Sequence, residues 1–481
     1  MTFDLRQVPF SRRGSWLAFS FLSERFLVDR FSDARLTEGL YFRTVREGGF
    51  HREIFRLEVL LRGVPVPFEA EGSPACFRLR TASGALVEIG LPDPAVVRFR
   101  GRGAGLRLTA TPSRGQEYPI PYDDTRWLVN CMGADLWFAV TPLSGRLRVD
   151  APWAGDQAER LVLDFLPDDT AGADGEFEAA MEASRHDGVF REFPDSFEDG
   201  LARVQREFDP FLDGMPDAPG RLAPWRELAA YLDWSCVVDP EGQIRRPSIL
   251  MSKNWMTSVW SWDHCFNAVA LSFRQPALAW DQLMTLFDHQ DDQGALPDSI
   301  SNAKAVWSFR KPPIHGWALL RMIRNGAVDR AKMEEIYSPL GRWTDWWFRY
   351  RDFDCDGIPQ YLHGNDSGWD NSTVFRAGPA VESPDLPVFL VLQMDALATV
   401  AAALGRGTEA EAWTRRSEDL VARFLAHSRR GDRLAALLPG THEEVPNRSL
   451  LSLMPLLLGP RLPGAVRRAL LATLERERFL S

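Results

Sequence analysis

Phe211-Leu-Asp-Gly-Met-Pro-Asp-Ala-Pro-Gly-Arg-Leu-Ala-Pro224 divides the chain in two. Its prolines and glycines interrupt helical and strand patterns alike, and the hydrophobic period differs on its two sides. Upstream the period is two. Ala85-Leu-Val-Glu-Ile89, Val96-Val-Arg-Phe-Arg100, Leu106-Arg-Leu-Thr109, Arg146-Leu-Arg-Val149 and Leu161-Val-Leu-Asp-Phe165 alternate, or nearly alternate, apolar with polar residues. Turn signals such as Ser83-Gly84 and Ser144-Gly145 separate them. Short strands at this spacing, with no helical period between them, predict an antiparallel β-sandwich over residues 1–200. Residues 201–224 are then a connecting helix and linker. Downstream, from Trp225, apolar residues recur at three- and four-residue steps, as in Leu390, Met394, Leu397 and Val400. Helices are expected near 225–236, 263–273, 276–290, 315–325, 329–350, 386–404, 408–430, 448–458 and 463–478, with one more at 197–212. The loops between them hold Trp, Asp, Asn, Gly and His, so 225–481 is read as a helical toroid whose mouth is lined by loops.

A chain of 481 residues exceeds what one hydrophobic core serves. Hydrophobic residues at 45% and charged residues at 25% exclude a mostly disordered protein. The net charge of −10 and the lack of a Lys/Arg block argue against nucleic acid as a partner. No basic region followed by an apolar run opens the sequence, so no secretory signal is expected. No run of about 18 uninterrupted apolar residues occurs, so a membrane partner is not expected either. The five cysteines lie far apart with no C-x-x-C, which suits a reducing cytoplasm. The sequence carries no G-x-G-x-x-G, P-loop or G-x-S-x-G, and no signal for oligomeric state.

Tryptophan is the outlier: 17 against 7 tyrosines, ten of them from Trp255 to Trp369. Indoles stabilise cores wherever they fit; they also wall sugar-binding clefts, because pyranose C–H groups stack on their faces. Three loops give the second reading weight. In Asn254-Trp-Met-Thr-Ser-Val-Trp-Ser-Trp-Asp-His-Cys-Phe266, Trp260 and Trp262 flank Asp263 at a helix start, where the dipole favours a carboxylate. That Asp could equally be an N-cap beside two core indoles. His363-Gly-Asn-Asp-Ser-Gly-Trp-Asp-Asn-Ser372 fits neither helix nor strand. Within it Asp370 follows Trp369, an apolar neighbour that would raise a carboxyl pKa towards that of a general acid; Asp366 is the local competitor. Ala380-Val-Glu-Ser-Pro-Asp-Leu386 offers Glu382 and Asp385, either of which could cap the following helix. Lys311-Pro-Pro-Ile-His-Gly-Trp317 adds His315 and Trp317, and Gly294-Ala-Leu-Pro-Asp298 lies nearby. Asp352-Phe-Asp-Cys-Asp-Gly357 imitates the start of a calcium loop, but position twelve is His363 instead of Glu, so no metal is expected.

With these residues quoted, Ser367-Gly-Trp-Asp-Asn-Ser372 resembles the S-G-W-D signature of trehalases and glycoside hydrolase family 63. Together with V-W-S-W-D-H, P-P-I-H-G-W and E-S-P-D-L it resembles the bacterial mannosylglycerate/glucosylglycerate hydrolase group, over roughly residues 225–460. The N-terminal strands resemble the β-sandwich that precedes the barrel in bacterial proteins called amylo-α-1,6-glucosidases. The resemblance implies an (α/α)6 barrel and inverting hydrolysis of a small α-glucoside or α-mannoside, with Asp370 as general acid. Trp260, Trp262 and Asp263 would form the sugar subsite, with His315, Trp317, Asp366, Trp369 and Glu382 as further substrate-binding positions. Such chemistry needs no cofactor, and its partner is a small carbohydrate.

The family's general base is a Glu beyond a Trp-Arg-Gly-Pro type loop, which this sequence lacks. About ten helices against a full barrel's twelve lead to the expectation that the last helices are missing and that hydrolysis by these 481 residues is negligible. Glu382, Glu443 and Glu444 are the acidic residues left to consider. A carbohydrate-binding barrel or inactive fragment, and a glycogen-debranching α-1,6-glucosidase, are the alternative readings.

Overall fold

The structure, a computed structural model, describes residues 1–23, 36–47, 52–111, 117–168, 175–187 and 190–477. It divides into a unit of Met1–Gly242, Pro247–Ser258 and Ser301–Ala303, and a unit of Gln243–Arg246, Val259–Ile300 and Lys304–Ser481.

In the first unit the period-two segments form two antiparallel sheets. One runs in space through Phe3–Asp4, Phe68–Gly72, Cys76–Thr81, Leu86–Asp93, Val96–Arg102, Glu176–Ser184, Leu136–Ser144, Trp127–Cys131 and Tyr118–Pro121. The other runs through Arg146–Asp150, Val162–Leu166, Gly105–Ala110, Glu53–Leu61, Gly39–Thr44 and Leu17–Leu22, with Val64–Val66 folded back on Glu53–Leu61. Rings from the two sheets meet face to inner face. Phe42 and Phe138 have centroids 5.5 Å apart, as do Phe99 and Phe165. The expected sandwich is therefore present, packed on phenylalanine.

Helix α1 (Phe197–Asp213) starts where Ser196 accepts the Asp199 N–H at 3.1 Å. Helix α2 (Arg226–Cys236) belongs to this unit as well, whereas the sequence reading gave it to the toroid. Its Tyr231 stacks on Phe3 at 4.5 Å and Trp234 meets Phe208 at 5.4 Å. Periodicity showed a helix there, but not the partner some 200 residues away that buries its apolar face.

The second unit is helical: α3 (Asp263–Leu271), α4 (Pro276–Met284), α5 (His315–Arg324), α6 (Arg330–Tyr350), α7 (Asp385–Ala403), α8 (Gly407–Ser428) and α9 (Gly464–Arg476) among the described residues. The helix expected at 448–458 is a 3-10 stretch, Leu450–Arg461, because Pro455 and Pro460 withhold N–H donors. Residues 478–481, where the last helix was expected to end, lie outside the described residues. Helix α7 is apolar on nearly every side because α5, α6 and α8 pack around it. By length and composition alone it could cross a membrane; here those apolar sides form the core. Gly316 allows α5 to approach α7, since a Cβ there would collide with the Gln393 backbone. The glycine of the H-G-W motif thus serves packing. So do four of the ten clustered tryptophans: Trp280, Trp343, Trp346 and Trp347 are buried.

Candidate active site

A three-stranded ribbon positions the first motif. Val259–Trp260 pairs with Ser299–Ile300, which pairs with Ala305–Val306. The Ser261 N–H donates to the Asp298 carbonyl at 3.1 Å, and the Asp298 N–H to the Val306 carbonyl at 2.8 Å. The ribbon ends at Trp262, and Asp263 enters the first turn of α3. Lys311 links this loop to the next. Its Nζ lies 3.3 Å from Asp298 Oδ1 and donates to the Asn365 carbonyl at 2.6 Å.

The S-G-W-D loop closes over the same place. Gly368 has φ +71°, and a Cβ there would run into the Trp262 indole. Only glycine meets both demands, a left-handed backbone and a ring laid directly against it. The first two motifs therefore share one site: Trp262 lies on Gly368, and the charge of Asp370 acts on Asp263. Asp370 is exposed and lines an open concavity of about 440 Å³ with His363, Phe375 and Arg376.

Burial pushes the Asp263 carboxyl up to about 6; Lys311 opposes the shift, while Asp298 and Asp370 add to it. Burial raises Asp298 too, against the pull of Lys311. Asp298 and Lys311 are the two residues of this cluster that sequence reasoning did not select. The motifs around them were quoted, but their pairing across 13 residues of loop is a tertiary fact.

The remaining predicted residues lie as follows. Trp260 and Trp262 are partly buried beside Asp263, as a subsite wall requires. Trp317 is also partly exposed and extends the aromatic strip: Trp262 meets Phe266 at 5.8 Å and Phe266 meets Trp317 at 5.6 Å. His315 is a core residue against Phe287 and Trp343, held neutral as burial lowers its pKa to about 3. Trp369 packs on the cluster of Val374, Val381, Ala436, Val445 and Leu451, so it supplies no apolar wall behind the exposed Asp370. Asp366 is buried and fully engaged. Its oxygens accept from the Arg310 N–H at 2.8 Å, the Leu362 N–H at 3.0 Å and Arg351 Nη1 at 2.7 Å. It organises the loop and has little left to offer a sugar. Glu382 caps nothing; it is buried and bonded to His427 Nε2 at 2.7 Å. Of the other candidate bases, Glu444 is paired with Arg433 and Glu443 is exposed.

The raised pKa of Asp263 yields a test. Below about pH 4 this carboxyl is protonated folded or unfolded and costs nothing. As pH rises towards 6 the unfolded chain ionises first, so native stability falls and then levels off. Asp263→Asn removes that cost. The variant should exceed wild type in stability at pH 7.5 by up to roughly 3 kcal/mol, at 1.36 kcal/mol per pKa unit. The gap should close near pH 4 in denaturant titrations. A variant less stable than wild type at both pH values would show that Asp263 is a stabilising cap.

In chain order a β-sandwich precedes an (α/α)6-type helical domain whose loops gather carboxylates and indoles. Residues 256–481 match the model of the mannosylglycerate hydrolase MGH1-like glycoside hydrolase domain. The mannosylglycerate hydrolase of Rubrobacter radiotolerans is 28% identical over 144 residues, 24% of this chain and 33% of that protein. Mannosylglycerate hydrolase MGH1 of Selaginella moellendorffii is 22% identical over 153 residues, 27% of this chain and 31% of its own length. The matched stretches thus span about a third of these relatives. Among solved structures, a bacterial glucoamylase complexed with acarbose shares the fold at TM-score 0.57 and 11% identity, over 88% of this chain and 67% of that one. A family GH92 inverting mannosidase from Bacteroides thetaiotaomicron does so at 0.53 and 10%, over 92% and 64%.

Proposed function

We propose that the protein is an inverting glycoside hydrolase acting on a small α-mannoside or α-glucoside, of the mannosylglycerate or glucosylglycerate kind. One observation carries this reading: Trp262, Asp263, Asp298, Lys311 and Asp370 come together from four separate motifs in the loops of the helical unit. Indole faces receive the apolar face of a pyranose, and carboxylates with an ammonium group receive its hydroxyls. Asp370 is the general acid because it is the solvent-facing carboxylate of the S-G-W-D loop, free to reach a glycosidic oxygen. Arg376, beside it in the concavity, offers a guanidinium to an anionic aglycone such as glycerate. A cytoplasmic setting belongs to the same reading, in keeping with five unpaired cysteines.

Binding is tested first. Trp260→Ala and Trp262→Ala should each weaken sugar affinity strongly in calorimetry with mannose, glucose and glucosylglycerate. Stability is followed in parallel, because losing a buried tryptophan commonly costs about 3–5 kcal/mol. Folded variants with unchanged affinity would make both indoles core residues and place the cleft elsewhere.

The engagement of Glu382 with His427 and of Glu444 with Arg433 favours a second reading, carbohydrate binding without turnover. It needs the same aromatic wall but no base. Sugar affinity with no release of sugar from any α-glycoside would decide for it.

A further inference from the structure

Among the described residues, a cluster of titratable side chains away from Asp263 has no part in the general acid chemistry proposed above. Asp356, Glu382, His427 and His442 come from four distant segments: the loop 352–357, the segment ahead of α7, the end of α8 and the turn of the hairpin between Ala436–Leu437 and Glu444–Val445. Each places one ligand-type atom within 4.8 Å of the other three. His427 lies between two carboxylates, with Nε2 2.7 Å from Glu382 Oε2 and Nδ1 3.1 Å from Asp356 Oδ2. His442 Nε2 is 3.5 Å from the same Asp356 oxygen and 3.0 Å from Asp354 Oδ2. The two imidazoles meet edge to face at 4.7 Å.

A second observation points to a ligand. Glu382 is 1% exposed, and its Oε1 is buried without a hydrogen-bond partner although it belongs to this cluster. A buried carboxylate oxygen with no donor is costly, and a cation is the partner that would satisfy it. We propose that Asp356, Glu382, His427 and His442 form a binding site for a divalent transition-metal ion of the zinc class.

The donor set selects the ion. Two imidazole nitrogens and two carboxylate oxygens match zinc-type coordination, with bonds of about 2.0–2.2 Å and hence ligand–ligand edges of about 3.4 Å. The present separations of 2.7, 3.1 and 3.5 Å lie on both sides of that edge, and side-chain adjustment would bring them to it. Calcium takes six to eight oxygens and gains nothing from imidazole. The calcium-like loop is moreover occupied by its own backbone: Asp352 Oδ2 accepts from the Gly357 N–H at 3.0 Å, and Asp356 Oδ1 from the Ile358 N–H at 2.7 Å. His363, at position twelve, instead accepts from the Asn365 N–H at 3.1 Å. Asp354 Oδ2 faces the same His442 Nε2, so metal binding at that nitrogen would replace its contact with Asp354. Such an ion would tie together four segments, one of them carrying the E-S-P-D motif.

The test uses the full chain, stripped with EDTA, dialysed and titrated with Co²⁺. The expected result is one bound equivalent with visible ligand-field absorption, abolished when Zn²⁺ is added, and a higher melting temperature with Zn²⁺. His442→Ala, on an exposed turn, and His427→Ala should each weaken Co²⁺ binding by more than about 100-fold, beyond the cost of losing an outer-shell partner. A folded wild type that shows no absorption and no Zn²⁺-dependent melting shift would overturn the site. So would Ca²⁺ binding that survives His442→Ala and disappears in Asp352→Asn, which would give the loop to a hard cation.

Discussion

Asp370→Asn will lower turnover of an α-mannoside or α-glucoside with a poor leaving group by about 10²–10⁴-fold, the usual weight of general acid catalysis. Asparagine keeps the shape and the hydrogen-bonding capacity of the side chain but cannot deliver a proton to the departing oxygen. Glycosyl fluorides and activated aryl glycosides need little protonation, so the loss should shrink for them. The variant should stay within about 0.5 kcal/mol of wild-type stability, because Asp370 is exposed and surface substitutions seldom cost more. The measurement is kcat on both substrate types alongside chemical denaturation. An Asp370→Asn enzyme with normal kcat on the poor leaving group would remove Asp370 from the acid's role. A loss of equal size on both substrate types would make it a binding residue.

The choice of Asp370 shows how far sequence reached. The order S-G-W-D pointed to the loop that lies against Trp262, and the glycine in it has a reason visible only in three dimensions: the Trp262 indole occupies the space of its missing side chain. What the sequence supplied as the physical argument, an apolar wall of Trp369, does not hold, because that ring turns to Val374 and Val381. In this site burial raises the carboxyls of Asp263, whose burial depends on how α3 enters the site, and of Asp298. Strands and helices were legible because their periods are local. The sandwich needed only alternation, and the expected helices from 263 to 430 are all present. Membership was less legible, since α2 takes its side from Phe3 and Phe208. Pairings across long loops were not legible at all. Glu382 with His427 spans 45 residues, and no spacing rule links them.

Asp366→Ala should cost about 3–5 kcal/mol of stability, the range for stripping one partner from a buried ion pair. Asp366 and Asp370 lie four residues apart in one loop, yet their environments are opposite. Asp366 is 1% exposed, and its two oxygens hold Arg351, the Arg310 N–H and the Leu362 N–H. Arg351 is itself buried, with its guanidinium over Trp346 at 5.3 Å and Trp347 at 5.8 Å. Without Asp366 that cation keeps its aromatic neighbours and loses its counter-charge, which rings alone replace only in part. The same substitution frees the backbone at Arg310 and Leu362, so the Lys311 and S-G-W-D loops lose their common anchor and activity falls with stability. Removing the pair together separates the two effects. If the cost is an unpaired Arg351, then Asp366→Leu/Arg351→Met should be markedly less damaging than the sum of its single variants, with a coupling of 2 kcal/mol or more, the upper part of the range for groups in contact. Denaturant titration of the four proteins measures it. Were Asp366→Ala to keep full stability while losing turnover on every substrate, the roles of the two aspartates would have to be exchanged: the buried one would do the chemistry and the exposed one would not.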